Sequence, residues 1–411
     1  MRLFGVCGGE SMESKEYWLS RVEEDWTALR HVKEQTPEIC LTAVQKYGEA
    51  LEYVKKQTPE ICLAAVQKDG YALQYVKEQT PEICMAAVQK SGQALRFVKE
   101  QTPKICMAAV QENPYSCPDV LKCVKEQTPE ICLAAVRRNG AALQWVEEQT
   151  FDICLAAVQK DGWALQWVEE QTPELCLAAV QQNGSALQFV KEKTPEICMA
   201  AVQQNGWALG YIEEQTPELC LAAVKQQGQA LKYVKEQTPE ICLVAVKDWM
   251  ALADVKEQTP EICMAAVQNN ASALKWVKKQ TFDICLEAIK QDRTALLDVK
   301  EQTPEICLEA VKQYGDALGW VKEQTPEICL AAVQQNGWVL KFVERQTPEI
   351  CLAAVQQDGE VLEFVKKQTF DICLAAVKQN PDVIKFVRDS EMKKQVEESL
   401  NQKQVSTMSV F

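Results

Sequence analysis

A 22-residue motif recurs along almost the whole chain, and it constrains the fold more than any other feature of the sequence. The copy at residues 58–79 reads TPEICLAAVQKDGYALQYVKEQ, and residues 80–101 repeat it with few changes. Self-similarity at a period of about 20 to 50 residues is the signature of repeat architectures, in which each unit packs on its neighbours. The usual expectation of two or three separate cores for a chain of 411 residues therefore does not apply.

Seventeen copies of the motif follow one another. We number the positions of each repeat from its threonine, which returns sixteen times between Thr36 and Thr369. The step is 22 residues, except for one step of 26 after Thr102 and one of 21 after Thr238, and a degenerate copy occupies residues 14–35 in the same phase. The sequence therefore predicts one array of 17 similar units.

The residues of one repeat predict a pair of short helices. Threonine at position 1 is a good N-cap, proline at position 2 suits the first helical turn, and glutamate at position 3 faces the positive end of the helix dipole. Eleven repeats carry glycine at position 13, as at Gly70 and Gly162, where a helix end favours a left-handed residue. We predict a first helix of about ten residues and a second that runs on to the next threonine, as in ALQYVKEQ.

A single continuous helix per repeat is the alternative, because proline-punctuated 22-residue repeats resemble the lipid-binding helices of apolipoproteins. At about 100° per residue, however, the polar positions 11, 12 and 22 would fall inside the apolar sector of such a helix. Breaking the repeat at its glycine removes this conflict. We therefore predict an all-α fold, an α-solenoid of about 17 stacked 22-residue helical hairpins that share a core between neighbours.

Deviations from the motif predict the ends and the irregular places of the array. The expected organisation is a flexible extension at 1–13, a degenerate capping repeat at 14–35, sixteen tandem repeats at 36–389, a capping helix at 390–401 and a disordered tail at 402–411. The two irregular steps correspond to an insertion near residues 112–119, which we expect to protrude as a loop, and a one-residue deletion near residue 248.

Composition and charge limit the classes of partner that the protein is expected to bind. The formal net charge is −14 and the isoelectric point is about 4.9, which oppose binding to nucleic acid or to an anionic membrane surface. Apolar runs inside the repeats, such as ICLAAV, are far shorter than the roughly 20 residues that span a bilayer. The first thirteen residues lack the apolar region of a secretory signal. We expect an intracellular, cytoplasmic protein.

Sixteen of the nineteen cysteines occupy position 5 of the repeats. Equivalent residues of stacked repeats are separated by roughly 8–10 Å, which exceeds the reach of a disulfide. The chain has a single histidine and no CxxC pair, so zinc binding is not indicated either. We predict a ladder of reduced, buried thiols that pack as small hydrophobic groups.

No constellation of residues predicts an active site. His31 occupies position 18, where most repeats carry Tyr, Phe or Trp, and we expect it to be an edge residue of the cap and not part of a Cys-His or Ser-His pair. Asp254 and Asp298 also replace that ring, but they are two repeats apart, roughly 16–20 Å, which is too far for a pair of carboxylates to share one substrate bond. We expect neither catalysis nor a cofactor nor a bound metal.

Two stretches resemble a known family. MAAVQQNGWALGYIEEQ at residues 199–215 and LAAVQQNGWVLKFVERQ at residues 330–346 are similar to the AV-x-QNG-x-AL core of domain of unknown function 4116. The resemblance implies helical repeats of a kind found in giant viruses and assorted microbes, and it implies no activity. For a viral protein, the expected location is the host cytoplasm or the virion.

One segment departs from the average charge. Residues 128–215 hold 12 acidic and 5 basic residues, a net charge of 5 − 12 = −7. The excess arises because the usual Lys-Glu of positions 20 and 21 is replaced by three pairs of glutamates. The candidate partner-binding residues are these pairs together with two tryptophans at the variable position 14: Glu147, Glu148, Glu169, Glu170, Glu213, Glu214, Trp163 and Trp207.

Two interpretations of these candidate residues stay open. Trp163 and Trp207 either cover a neighbouring repeat while the glutamates form a solvated face, or the two groups together bind a basic segment of another protein. A protein-binding scaffold is the leading hypothesis for the whole chain. The alternatives are an RNA reader with one repeat per base, which the acidic charge opposes, and a structural component of a viral particle.

Overall fold

The structure, a computed structural model, describes residues 14–112 and 118–408, and within these the side chains of residues 14–112 and 119–400. The described residues form helices and connecting segments, with no β-strand among them. The chain divides into two compact units, Met1–Ile212 and Glu213–Phe411. Within each unit the α-helix of one repeat packs against the α-helix of the next, so each is an all-α solenoid, as the sequence predicts.

Each repeat consists of an α-helix followed by a 3₁₀ helix. The α-helices are α1 (Lys15–Glu24), α2 (Pro37–Lys46), α3 (Pro59–Lys68), α4 (Pro81–Lys90), α5 (Pro103–Gln111), α6 (Pro129–Arg138), α7 (Phe151–Lys160), α8 (Pro173–Gln182), α9 (Pro195–Gln204), α10 (Pro217–Gln226), α11 (Pro239–Ala245), α12 (Pro260–Asn269), α13 (Phe282–Gln291), α14 (Pro304–Gln313), α15 (Pro326–Gln335), α16 (Pro348–Gln357), α17 (Phe370–Gln379) and, after the last repeat, α18 (Ser390–Met408).

The 3₁₀ helices lie between them. They are η1 (Trp26–His31), η2 (Gly48–Tyr53), η3 (Gly70–Tyr75), η4 (Gly92–Phe97), η5 (Pro118–Cys123), η6 (Gly140–Trp145), η7 (Gly162–Trp167), η8 (Gly184–Phe189), η9 (Gly206–Tyr211), η10 (Gly228–Tyr233), η11 (Trp249–Asp254), η12 (Ala271–Trp276), η13 (Arg293–Asp298), η14 (Gly315–Trp320), η15 (Gly337–Phe342), η16 (Gly359–Phe364) and η17 (Pro381–Phe386).

The α-helix begins where the sequence predicts. In α3 the side-chain oxygen of Thr58 accepts a hydrogen bond from the backbone N–H of Ile61 at 3.4 Å, and Pro59 is the first helical residue. Threonine therefore satisfies one of the free N–H groups of the first turn, and proline occupies a position where its missing N–H is not needed. The helix ends at Lys68, ten residues from its start, as expected.

The glycine at position 13 is required by close packing between repeats, so the predicted left-handed helix end is wrong. Gly184 is the first residue of η8, its φ lies outside the left-handed region, and Asn183 before it is extended at φ −149° and ψ 109°. A Cβ on Gly184 would lie 2.4 Å from the carbonyl oxygen of Ala201 in the next repeat. Glycine is present because the neighbouring backbone leaves no room for a side chain.

The second helix of the repeat is a 3₁₀ helix from position 13 to position 18, so the predicted helix from position 15 to 22 is wrong in its bounds. In η3 the helix ends at Tyr75, and Val76 is extended at φ −73° and ψ 118°. A 3₁₀ helix has about three residues per turn, which aligns positions 13, 16 and 19 on one side. Gly70, Leu73 and Val76 have this spacing and are all buried. The three-residue apolar spacing favours the tighter helix.

The core of each unit is a layer of small and branched apolar side chains. In α3 the buried residues are Ile61, Cys62, Ala65 and Val66, and the same positions are buried in nearly all described repeats. No polar or charged side chain is buried among the described residues. The sixteen cysteines at position 5 are buried and unpaired, as the sequence predicts.

The irregular places of the array have local effects. The one-residue deletion shortens α11 to seven residues, and Trp249 stands at the first position of η11, half-buried, where most repeats have glycine. The ammonium of Lys275 lies 4.8 Å from the centre of the Trp249 ring. The extension predicted at residues 1–13 lies outside the described residues, as do residues 113–117 of the insertion.

A final α-helix, α18, covers the last repeat. The side chain of Asp389 accepts a hydrogen bond from the N–H of Met392 at 2.7 Å, and the sulfur of Met392 lies 3.6 Å from that of Cys373 in α17. The helix extends to Met408, so the disordered tail predicted from residue 402 is wrong as far as residue 408. Residues 390–408 contain neither glycine nor proline and are rich in helix-forming residues, which explains the longer helix.

Candidate partner-binding surface

A glutamine at position 22 fixes the segment that follows each 3₁₀ helix. The side-chain nitrogen of Gln149 donates to the carbonyl oxygen of Trp167 at 2.8 Å, and its side-chain oxygen accepts from the backbone N–H of Glu169 at 3.1 Å. The Sγ of Cys154 lies 3.5 Å from the same oxygen. One carboxamide thus joins a repeat to the next and sets the position of Glu169. Sequence reasoning missed this role, although the recurrence of glutamine at position 22 was a signal for it.

Lysine at position 20 forms a second connection between repeats. The ammonium of Lys77 donates to the carbonyl oxygen of Lys55 at 3.2 Å, and that of Lys99 donates to the carbonyl of Lys77 at 3.0 Å. The same contact recurs at Lys235, Lys278 and Lys300. From the sequence alone, a charged pair that recurs in most repeats is expected to be solvated surface charge. Each instead places a positive charge on the backbone carbonyl of the preceding repeat.

Two successive repeats replace this lysine with glutamate. Glu147 and Glu169 occupy position 20, and with Glu148 and Glu170 they form an exposed group that we call the acidic row. A carboxylate cannot donate to a carbonyl, so the carbonyl oxygens of Lys125 and Glu147 receive no ammonium from position 20 of the next repeat. The acidic row therefore combines four carboxylates with two backbone acceptors that a lysine satisfies elsewhere.

The other predicted glutamates lie in the second unit. Glu213 and Glu214 are exposed, and the carbonyl oxygen of Glu213 accepts a hydrogen bond from the ammonium of Lys235 at 2.7 Å. In the first unit the lysine contact returns after the acidic row, where Lys191 donates to the carbonyl of Glu169 at 3.0 Å. The acidic row is thus bounded on this side by a lysine.

The two tryptophans occupy a different edge of the repeat. The Trp163 side chain is 39% exposed, and its ring packs edge-on against Phe189 of the next repeat at 5.5 Å between centroids. Trp163 is near the start of η7 and Glu169 follows its end, so the helix separates them by roughly 12 Å at about 2 Å per residue. The structure does not bring Trp163 and the acidic row into one pocket. Trp207 is half-buried in η9.

The remaining sequence candidates are dispersed. The side chain of His31 is exposed, and its Nε2 accepts a hydrogen bond from Nε of Arg30 at 3.1 Å. Asp254 and Asp298 are half-buried at the ends of η11 and η13, with the repeat of η12 between them. In the part of the chain that the structure describes, no three histidine, cysteine, aspartate or glutamate side chains are placed to hold a metal ion.

Burial controls the chemistry of the thiol ladder. Removal from solvent raises the pKa of Cys62 and Cys154, because burial disfavours the thiolate. The carboxylate of Glu169 raises the pKa of Cys154 further through charge repulsion. The ladder thiols are therefore protonated and unreactive in the folded protein at neutral pH.

The family model described as Domain of unknown function (DUF4116) matches residues 36–80, 58–103, 172–215, 303–346, 325–369 and 347–393. The chain belongs to this family. Each match covers two successive α/3₁₀ repeats, so a DUF4116 domain corresponds to a pair of the 22-residue units. The matched segments omit residues 104–171, which contain the acidic row. A comparison with curated proteins gives no match.

Among the described residues of this DUF4116 chain, no helix combines the length and apolar character that a membrane crossing needs.

Proposed function

We propose that this DUF4116 protein is a non-catalytic helical-repeat scaffold that binds a basic segment of a partner protein along the acidic row. The observation that carries the proposal is the replacement of the position-20 lysine by Glu147 and Glu169. In most other repeats that lysine supplies a positive charge to the preceding repeat. A lysine or arginine of a partner would supply it here.

The acidic row offers two kinds of acceptor to such a side chain. Its carboxylates attract a cation and raise the rate of encounter, while the carbonyl oxygens of Lys125 and Glu147 provide directional hydrogen bonds. The internal contact between Lys191 and the carbonyl of Glu169 shows the geometry that the fold itself uses, at 3.0 Å. The partner side chain is therefore expected to reproduce a contact already present in the neighbouring repeats.

The spacing of the repeats predicts the pattern of the partner. Neighbouring repeats are separated by roughly 8–10 Å, the usual distance between packed helices. A chain in the polyproline II conformation has three residues per turn and advances about 3.1 Å per residue, so basic side chains at every third residue would lie on one face and match successive repeats. A segment of the type Lys-x-x-Lys fits the acidic row better than a run of adjacent lysines does.

The proposal can be tested with a fluorescently labelled peptide of about 16 residues that carries lysine at every third position, a length that spans several repeats. We expect the double variant E147K/E169K to bind this peptide at least about tenfold more weakly than the parent, which corresponds to about 1.4 kcal/mol. Fluorescence anisotropy at physiological salt measures the affinity.

The chain offers a matched control. Glu100 and Glu126 are exposed glutamates at position 21 of repeats that keep their lysines at position 20. The variant E100K/E126K changes the net charge by the same amount, and it should bind the peptide within about threefold of the parent, a difference of less than 1 kcal/mol. Equal weakening in both variants would show binding by net charge alone and would contradict the proposal. So would tighter binding of a single-stranded RNA than of the peptide.

A further inference from the structure

A polar cavity lies at the surface of the first unit, between the 3₁₀ helices η4 and η5. It has a volume of about 370 Å³ and is lined by Arg96, Lys122, Lys125, Asp119, Cys123 and two glutamines. This volume is within the range of small-molecule sites, roughly 300–1,000 Å³. It shares only Lys125 with the proposed partner-binding surface, which uses the carbonyl oxygen of that residue and not its side chain.

The cavity coincides with a missing ring. Cys123 occupies position 18, where the repeats before and after it carry Phe97 and Trp145. A thiol is much smaller than an aromatic ring, so the substitution leaves space between the neighbouring repeats. Cys123 is half-buried, whereas the other described cysteines are buried. Its thiol is therefore the accessible one among the described cysteines.

The charge around this space is opposite to that of the whole protein. Three cationic side chains and one carboxylate line the cavity in a chain whose formal net charge is −14. The carboxylate, Asp119, accepts a hydrogen bond from the indole nitrogen of Trp145 at 3.0 Å. Arg96 forms no hydrogen bond or ion pair with another described side chain or backbone group. A cavity with this excess of positive charge favours an anion.

The two cations close to Cys123 in sequence, Lys122 and Lys125, are held in place. The ammonium of Lys125 donates to the carbonyl oxygen of Lys99 at 3.0 Å, and that of Lys122 lies 4.9 Å from the centre of the Trp145 ring. Both contacts orient an ammonium group but leave its positive charge in place, since a carbonyl group and an aromatic ring carry no net charge. The positive charge of the cavity is thus positioned by the fold.

Two other repeats that lack the ring differ in their charge. Asp254 and Asp298 replace it with a carboxylate, and the position-17 lysines of the repeats before them, Lys232 and Lys275, lie over Tyr233 and Trp276. A carboxylate at this position repels an anion, whereas the neutral thiol of Cys123 does not. The repeat of Cys123 therefore differs from those of Asp254 and Asp298 in combining an uncharged residue at position 18 with three cations.

We propose that this cavity is a binding site for a small oxyanion of the phosphate or carboxylate class. Arg96 provides a planar pair of donors for such a group, and Lys122 and Lys125 provide the surrounding positive charge. The side-chain N–H of Gln93 can supply a further hydrogen bond, whereas the amide of Gln101 already donates to the carbonyl oxygens of Leu95 and Cys123. The anion would also reduce the mutual repulsion of the three cations and so stabilise this part of the first unit.

Cys123 allows a direct test. Cys7 and Cys117 are the other two cysteines outside position 5, and both are replaced by serine for this experiment. In this background we expect the anionic reagent methanethiosulfonate ethylsulfonate to label Cys123 faster than the cationic trimethylammonium analogue. The ratio of the two rates should exceed the ratio for the urea-unfolded chain by about tenfold, the effect of about 1.4 kcal/mol of electrostatic attraction. Inorganic pyrophosphate should slow the labelling at constant ionic strength, because it competes for the cavity.

Two variants distinguish the site from general electrostatics. Arg96→Gln should reduce the rate ratio several-fold and weaken the protection by pyrophosphate, with helicity unchanged by circular dichroism. Lys341→Gln is the matched control, since Lys341 also occupies position 17 and lies over Phe342, far along the sequence from the cavity. It should leave both measurements unchanged. A native rate ratio equal to the unfolded one, or no protection by pyrophosphate beyond that of sodium chloride, would overturn the proposal.

Discussion

The side-chain amide of Gln149 and the backbone carbonyl of Trp167 are joined by a 2.8 Å hydrogen bond that crosses from one repeat into the next. The same side chain accepts from the N–H of Glu169 at 3.1 Å, so one residue satisfies two backbone groups of its neighbour. Hydrophobic contacts between small side chains do not specify orientation, whereas paired hydrogen bonds do. The glutamine therefore fixes the register of one repeat on the next.

Removal of this clamp should loosen the junction that it spans. Gln149→Ala leaves the part-buried carbonyl of Trp167 and the exposed N–H of Glu169 without their partner. Water can replace the partner of the exposed N–H, so the cost should be about 1–3 kcal/mol, the value for one buried group. Repeat arrays often unfold without full cooperativity, so a local measurement is preferable to a single melting curve. Hydrogen–deuterium exchange of the segment that contains both groups should increase strongly.

Gln144→Ala is the control for the loss of a glutamine side chain. Gln144 is exposed, and its side-chain nitrogen donates only within its own helix, to the carbonyl of Ala141 at 3.0 Å. Its replacement should change local stability by less than about 0.5 kcal/mol. The reverse change is also informative. Lys193 occupies position 22, where the repeats before and after it have glutamine, so Lys193→Gln should add the missing clamp and slow hydrogen exchange near Tyr211. Equal exchange in Gln149→Ala and Gln144→Ala would contradict the clamp.

The sequence predicts those parts of the fold that depend on local chemistry. Thr58 and Pro59 mark the start of α3 because capping involves residues within one helical turn. The bounds predicted for the second helix are wrong because they overlook its three-residue apolar spacing, which favours a 3₁₀ helix. The role predicted for the position-13 glycine is wrong because, as at Gly184, it depends on the carbonyl of Ala201 in the next repeat. The contacts of Lys77 and Gln149 were missed for the same reason. Their partners are about one repeat away in sequence, and a pattern of single residues does not reveal them.

Alanine at position 13 should separate two repeats. In Gly184→Ala the new methyl group would lie 2.4 Å from the carbonyl oxygen of Ala201, so the backbone must shift, at a cost of about 1–3 kcal/mol. Ala271 occupies this position in one natural repeat, so we expect local loosening and not loss of the fold. Urea titration and hydrogen exchange of α9 measure the effect.

Gly319 provides the comparison for this substitution. A Cβ at Gly319 would have ordinary contact at 3.9 Å with the ring of Phe342. Gly319→Ala should therefore be neutral, or stabilising by up to about 1 kcal/mol, because alanine reduces the freedom of the unfolded chain. If the two variants lost equal stability, the close approach at Gly184 would not be the reason for its glycine.

Trp163 should contribute to the packing of two repeats. Its ring meets that of Phe189 edge-on at 5.5 Å, and such aromatic pairs contribute about 0.5–1.5 kcal/mol beyond the area they bury. A double-mutant cycle with Trp163→Ala and Phe189→Ala should give a coupling energy in that range. The pair Trp163→Ala and Phe97→Ala, which are three repeats apart, should be additive. Additivity in the first cycle would mean that Trp163 has no packing role and is free to serve a partner.

The buried thiols should make the protein sensitive to alkaline pH. Burial raises the pKa of Cys154 and Cys176 in the folded state, so the unfolded chain, whose thiols have a pKa of about 8.5, releases their protons first. Each thiol thus contributes stability that is complete below about pH 8.5. This stability is lost as the pH rises through the pKa of the thiol in the folded protein, by up to about 1.4 kcal/mol per pH unit.

The midpoint of urea unfolding should therefore fall between pH 8 and pH 10. The double variant Cys154→Ala/Cys176→Ala should show a shallower fall than the parent, because it lacks two of the thiols whose pKa burial raises. Parallel pH profiles for the two proteins would show that the thiols have the same pKa in the folded and unfolded chains, contrary to the effect of burial.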